Sequence, residues 1–111
     1  MNQMLESIFG NRSAAQCLLF LEAYGAGHPS RIAATFGTPR NQIYLQLKRL
    51  EANGILVSKV IGRSRVFEFN PLSPTVRNLR AFLAAELELL SPAESEAYFT
   101  QRQRPRRIGK A

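Results

Sequence analysis

The sequence is poor in the residues that build reactive centres. Its 111 residues include one cysteine, Cys17, and one histidine, His28. A single thiol excludes an internal disulfide, and alone it cannot make a cysteine metal site. Cys17 lies within "AAQCLLFLEAYG", where a free cysteine packs as a small hydrophobe. His28 reads as an exposed turn residue, without the partners that a metal ion needs. The carboxylates are scattered as Glu6, Glu22, Glu51, Glu68, Glu86, Glu88, Glu94 and Glu96, with no Ser-His-acid set and no phosphate-cradling glycine loop. These absences argue against an enzyme, and neither a metal nor a cofactor is expected. Long apolar runs are lacking too, since none approaches the roughly 20 residues of a membrane span. The start, "MNQMLESIFGNRS", has no basic segment followed by a continuous apolar one. No signal peptide is expected, and the cytoplasm is the expected compartment.

What is abundant is positive charge. Fifteen Lys and Arg face eight acidic residues, for a net charge of +7. The sequence pI is about 10.5. A domain this basic is expected to meet a polyanion, and nucleic acid is favoured over an acidic membrane surface. The length suits one domain, and 45% hydrophobic residues suffice for a modest core.

Periodicity supplies the elements. Met4, Leu5, Ile8 and Phe9 mark a short amphipathic helix, ended by Gly10-Asn11. Ser13 starts a second helix, with Ala14, Cys17, Leu18 and Leu21 on one face. Pro29-Ser30 opens a third, carrying Ile32, Ala33 and Phe36 and ended by Gly37. Thr38 caps a fourth helix over 39–53, with Pro39 at its first position. Ile43, Leu47 and Leu50 form its inward seam. "ILVSKVI" and "RVFEFN", separated by Gly62-Arg63-Ser64, read as a β-hairpin with a cationic tip. After Pro71 and Pro74 a longer helix carries Val76, Leu79, Leu83, Leu87 and Leu90 on one stripe, widened by Phe82 and Leu89. The expected division is a domain over 1–90 and a basic tail over 91–111, ending "QRQRPRRIGKA" and disordered in isolation.

The order of helix, helix, helix, helix, hairpin and helix makes a mainly α fold with a β-hairpin wing. It is a winged helix-turn-helix in the α+β class, flanked by N- and C-terminal helices. Ala33 and Gly37, four apart, supply the small residue and the sharp turn of the helix-turn-helix. Ile43 lies six beyond the glycine and locks the second helix onto the first.

These residues carry a resemblance. "RIAATFGTPRNQIYLQLKRLEANGILVSKVIGRSRVFEFNP" is similar to the winged-helix core of bacterial ArsR-like transcriptional regulators. It also resembles the winged-helix domains beside nucleotidyltransferase domains. The likeness covers about residues 4–90, and "LKRLEANGIL" and "GRSRVFEFNP" are its most specific parts. It implies DNA binding, usually as a homodimer through the first and last helices. Metal-sensing ArsR members carry paired cysteines on the recognition region or ligands on the terminal helices. Here 40–50 contains no cysteine, which disfavours a metal sensor.

With the seam inward, Asn41, Tyr44, Leu45 and Lys48 fall on the opposite side of the fourth helix. Arg40 and Asn41 lie at the end that enters the major groove in helix-turn-helix docking. Arg matches the two acceptors of guanine, and Asn the edge of adenine. Tyr44 is suited to a phosphate or a base, while Leu45 either meets thymine methyls or leans into the core. Lys48 and Arg49 suit phosphates. Thr38 completes the set on this helix. The wing offers Lys59, Arg63, Ser64 and Arg65 to the minor groove or its flanking phosphates. The final helix has more apolar residues than one stripe needs, and such surplus marks a contact site. Leu5, Ile8, Phe9, Leu79, Phe82, Leu83, Leu87 and Leu90 are therefore the expected homodimer interface. The expected function is sequence-specific double-stranded DNA binding by a transcriptional regulator, a repressor acting at the nucleoid. The alternative is a winged-helix interaction module that binds DNA non-specifically or docks a protein.

Overall fold

The computed structural model describes residues 3–99. Helix α1 (Gln3–Phe9) leads into α2 (Arg12–Tyr24), whose first turn is capped by Asn11. The Asn11 Oδ1 accepts from the Ala14 amide at 2.7 Å, satisfying one of the free donors at a helix start. Residues Ala14 to Leu21 of α2 are all buried. A helix buried on every side is a pillar, because neighbours must cover all its faces. Here α1, α3 (Pro29–Phe36), α4 (Arg40–Ala52) and α5 (Pro74–Glu88) pack around it. One polar side chain, Gln16, is enclosed with the apolar ones, and its Oε1 accepts from the Thr38 hydroxyl at 2.7 Å. That bond meets the rule that buried polar groups are partnered.

Strand β1 (Ala26–Gly27) is followed, after α3 and α4, by β2 (Leu56–Ile61) and β3 (Ser64–Phe69). The sheet is antiparallel in the order β1-β3-β2. Leu56 stands opposite Phe69 and Ile61 opposite Ser64, so Gly62 and Arg63 form a two-residue loop. Gly27 is fixed by packing: a Cβ there would lie 2.6 Å from Cε1 of buried Phe20. Gly37 is fixed by its backbone, with φ +67° at the end of α3. Its amide and that of Thr38 both return to the Ala33 carbonyl, a left-handed helix stop that turns the chain into α4.

The core gathers Phe20, Leu18, Leu19, Leu21, Ile32, Ile43, Leu47, Leu56, Phe67 and Leu83. Each such side chain contributes on the order of 1.5–3 kcal/mol by leaving water. The three expected seam residues of α4 are its three buried residues. The α+β winged-helix architecture expected from the pattern is therefore present.

Several expectations need correction. Thr38 does not cap α4; its hydroxyl is committed to Gln16, and Pro39 occupies the capping position without a side-chain bond. Ser13 lies inside α2, since Asn11 caps it. Ser64 belongs to β3 rather than to the hairpin tip. Leu5 and Leu83 are 3% and 0% exposed, so they complete this chain's own core and offer nothing to a second copy. The stretch after Ser91 is not all irregular: α6 (Pro92–Phe99) forms there. Its Phe99 and Tyr98 meet Tyr24 and Phe36, with ring centroids 5.0 Å apart for Phe36 and Tyr98. The Tyr24 hydroxyl donates to the Tyr98 carbonyl at 3.2 Å. The arginine-rich run expected to form a basic tail lies outside the described residues. No helix among the described residues is long and apolar enough to cross a membrane.

Candidate nucleic-acid interface

The candidate interface is built where three elements end beside one another. The outward side of α4 supplies Arg40 and Tyr44, the β2–β3 hairpin supplies Arg63, Ser64 and Arg65, and the start of α3 supplies His28, Pro29 and Ser30. Together they line a polar cleft of about 190 Å³. Arg40 is held in place by two contacts. Its Nε donates to Ser30 Oγ at 3.0 Å, and its guanidinium carbon lies 5.7 Å from the Tyr44 ring centroid. The ring contact and the ε-nitrogen bond together fix the direction of the guanidinium at the rim of the cleft.

The contribution of α3 was not legible from spacing. His28 is the helix N-cap: its Nδ1 accepts from the Arg31 amide at 3.3 Å. The Pro29-Ser30 start signals a helix, but nothing in the sequence signals that this start abuts the wing. The positive end of the α3 dipole lies at this start and adds to the cationic character of the cleft.

The remaining expected residues divide into three groups. Asn41 and Leu45 are exposed on the outer side of α4, Leu45 at 61%. Leu45 therefore does not lean into the core. Lys48 is exposed but engaged, donating to Glu51 Oε1 at 3.1 Å. Arg65 donates through Nη1 to Ser58 Oγ at 3.0 Å, and Ser58 in turn bonds Glu51 Oε2 at 2.5 Å. Ser58 foremost, then Lys48 and Arg65, hold the Glu51 carboxyl below the usual range. Two expected residues point elsewhere. Arg49 bonds Gln46 at 2.9 Å and lines a separate apolar cavity with Ile8, Phe9, Leu18, Ile55 and Leu79. Lys59 faces Glu68 at 3.7 Å on the other side of the sheet, because side chains alternate along a strand.

The expected dimer residues also divide. Phe9, Leu79 and Leu87 are partly buried against this chain's core, and Leu90 is half-buried. Ile8 at 61%, Phe82 at 38%, Met4 at 73% and Leu89 at 75% leave apolar surface open on α1 and around α5. The edge-on contact of Phe9 with Phe82, 6.4 Å between centroids, joins the two helices.

Cys17 is enclosed, with its thiol directed at the Ile43 carbonyl at 3.8 Å. Burial pushes its pKa up to about 12, which keeps the thiol protonated and unreactive. Among the described residues no group of three or more His, Cys, Asp and Glu could hold a metal ion.

Solved structures with the same architecture include the AntR antimony-specific transcriptional repressor. It is 22% identical, with a TM-score of 0.54 over 83% of this chain and 78% of its own. A MarR-family transcriptional regulator from Rhodococcus sp. RHA1 is also 22% identical, with a TM-score of 0.53 over 87% of this chain and 67% of its own. No family model and no curated protein matches the sequence.

Proposed function

We propose that this protein is a sequence-specific double-stranded DNA-binding transcriptional regulator. The observation that carries the reading is the convergence of Arg40, Tyr44, Arg63 and Arg65 on one cleft between the second helix of a helix-turn-helix and its wing. Isolated surface cations serve solubility, whereas cations gathered beside a protruding helix match a groove flanked by phosphates. In this reading α4 enters the major groove, with Arg40 and Asn41 reading base edges and Tyr44 and Leu45 filling the groove floor. The wing tip meets the minor groove or its phosphates through Arg63. Thr38, Lys48 and Ser64 lie around the contact, while Arg49 and Lys59 contribute long-range attraction rather than contact.

The open apolar surface of Met4, Ile8, Phe82 and Leu89 supports a homodimer. A twofold pair would set two α4 helices about one DNA turn, roughly 34 Å, apart. The ArsR-like resemblance and the regulators that share the fold support a repressor that occludes its site. Such a protein works in the cytoplasm, at the nucleoid.

The test is selection of bound duplexes from a random pool, followed by titration of the selected site against Arg40→Ala and Tyr44→Ala. A palindromic consensus, with affinity lowered by about 1–3 kcal/mol in Arg40→Ala, is the expected result. No enrichment over random sequence overturns specific recognition. Binding that ignores sequence would point to an architectural module instead.

A further inference from the structure

The recognition helix carries one carboxylate, Glu51, on a segment otherwise furnished with Arg40, Lys48 and Arg49. An acid near a phosphate-facing surface opposes binding, so its place there calls for a reason. Stability is a weak one: the Lys48 and Glu51 side chains are 45% and 27% exposed, and exposed ion pairs add little. The geometry offers a better one. Glu51 Oε1 accepts from Lys48, and Oε2 is bonded by Ser58, whose oxygen accepts from Arg65 Nη1. Two phosphate-seeking cations, one on α4 and one on the wing, are thus held by a single carboxylate. Arg65 also lines the cleft that contains Arg40 and Tyr44.

Resting on the DNA-binding reading above, we propose that Glu51 is a discrimination residue: it holds Lys48 and, through Ser58, Arg65 away from phosphates unless base contacts by Arg40 and Asn41 seat the helix fully. On random DNA the helix is shallowly placed, phosphates compete poorly with Glu51, and both cations stay held. On the correct site the chain reopens and the cations transfer to the backbone. The carboxylate therefore suppresses non-specific binding more than specific binding, because specificity is a difference of two affinities. The same bonds fix the wing against the C-terminal turn of α4, so Glu51 acts through Lys48 and Arg65 and is a positioning residue that touches no base.

The test compares wild type, Glu51→Gln and Ser58→Ala on the selected duplex and on a random duplex, across a range of salt. Glutamine retains an acceptor for Ser58 and removes the charge. For Glu51→Gln the expected result is random-duplex affinity raised about tenfold, with a salt slope steeper by about 0.9–1.8, the signature of one or two further phosphates neutralised. Affinity for the selected site should change less than threefold, so the preference between the two duplexes shrinks. Ser58→Ala, which releases Arg65 alone, should steepen the random-duplex slope by about 0.9. A purely structural role for the network would lower both affinities in parallel and leave the slopes unaltered. That pattern, or slopes identical to wild type in both variants, overturns the proposal while the DNA-binding reading stands. Failure of the wild-type protein to bind any duplex overturns the reading and the proposal together. Unfolding midpoints within a few degrees of wild type confirm that the variants are folded.

Discussion

Helices α2 and α4 have the same length, thirteen residues each, and opposite surroundings. In α2 eight successive residues are buried, including one glutamine; in α4 three are, spaced as a single stripe. The difference separates two ways of using a helix. One serves as the pillar that every neighbour covers, and its sequence is constrained on all sides. The other buries Ile43, Leu47 and Leu50 alone and keeps Arg40, Asn41, Leu45 and Lys48 exposed. The packing constraint falls on α2, which supports α4 and α3 from the core side, and the exposed side of α4 can change without disturbing that core.

Three measurements would break or sharpen that contrast. Phe20→Ala should have the largest effect, about 3–5 kcal/mol lost in denaturant unfolding, because the ring is fully buried and packs against Gly27. A loss below about 1 kcal/mol would deny α2 its role as the pillar.

A moderate effect is expected at Cys17, on the boundary between the two helices. Its folded pKa is raised from 9.0 to about 12, so its contribution is complete below pH 9 and is lost as pH rises through that interval. The unfolded thiol ionises first, and stability should fall by up to about 1.4 kcal/mol per pH unit. Cys17→Ala removes that slope and keeps the background from tyrosines and lysines common to both proteins. Parallel curves for the two above pH 9 would contradict the enclosure of the thiol.

The smallest effect on stability is expected from Leu45→Ala on the open side of α4, within about 0.5 kcal/mol of wild type. The same substitution should weaken binding to the selected duplex if Leu45 meets thymine methyls. A stability loss above about 2 kcal/mol would place Leu45 in the core after all.

The α4 seam was legible because its apolar residues recur at helical spacing among polar ones, and all three are buried. The hairpin was legible for a similar reason, with a glycine loop between β-branched runs. Other features arise only from contacts distant in the chain. Strand β1 is an Ala-Gly pair with no strand preference of its own; it exists because it pairs with Phe67 and Glu68. Helix α6 has no apolar stripe, and its aromatic end is received by Tyr24 and Phe36. The leucines of α5 announce a surplus but not its division, since the rotation of the helix decides that Leu83 is enclosed while Phe82 is open. The cleft shows the same limit. Arg40 and Tyr44 followed from the seam, but Ser30 and the Glu51–Ser58–Arg65 chain needed tertiary placement.

The root of the hairpin has a mechanical consequence. Leu56, Phe67 and Phe69 are buried there, and β1 binds β3 at Phe67 and Glu68. Toward Gly62 the strands are exposed and have no third strand beside them. The hairpin is a cantilever, clamped at the core and loaded at its free end. Displacement grows from the clamp toward Arg63, so the tip moves most while the buried base keeps its place against α4.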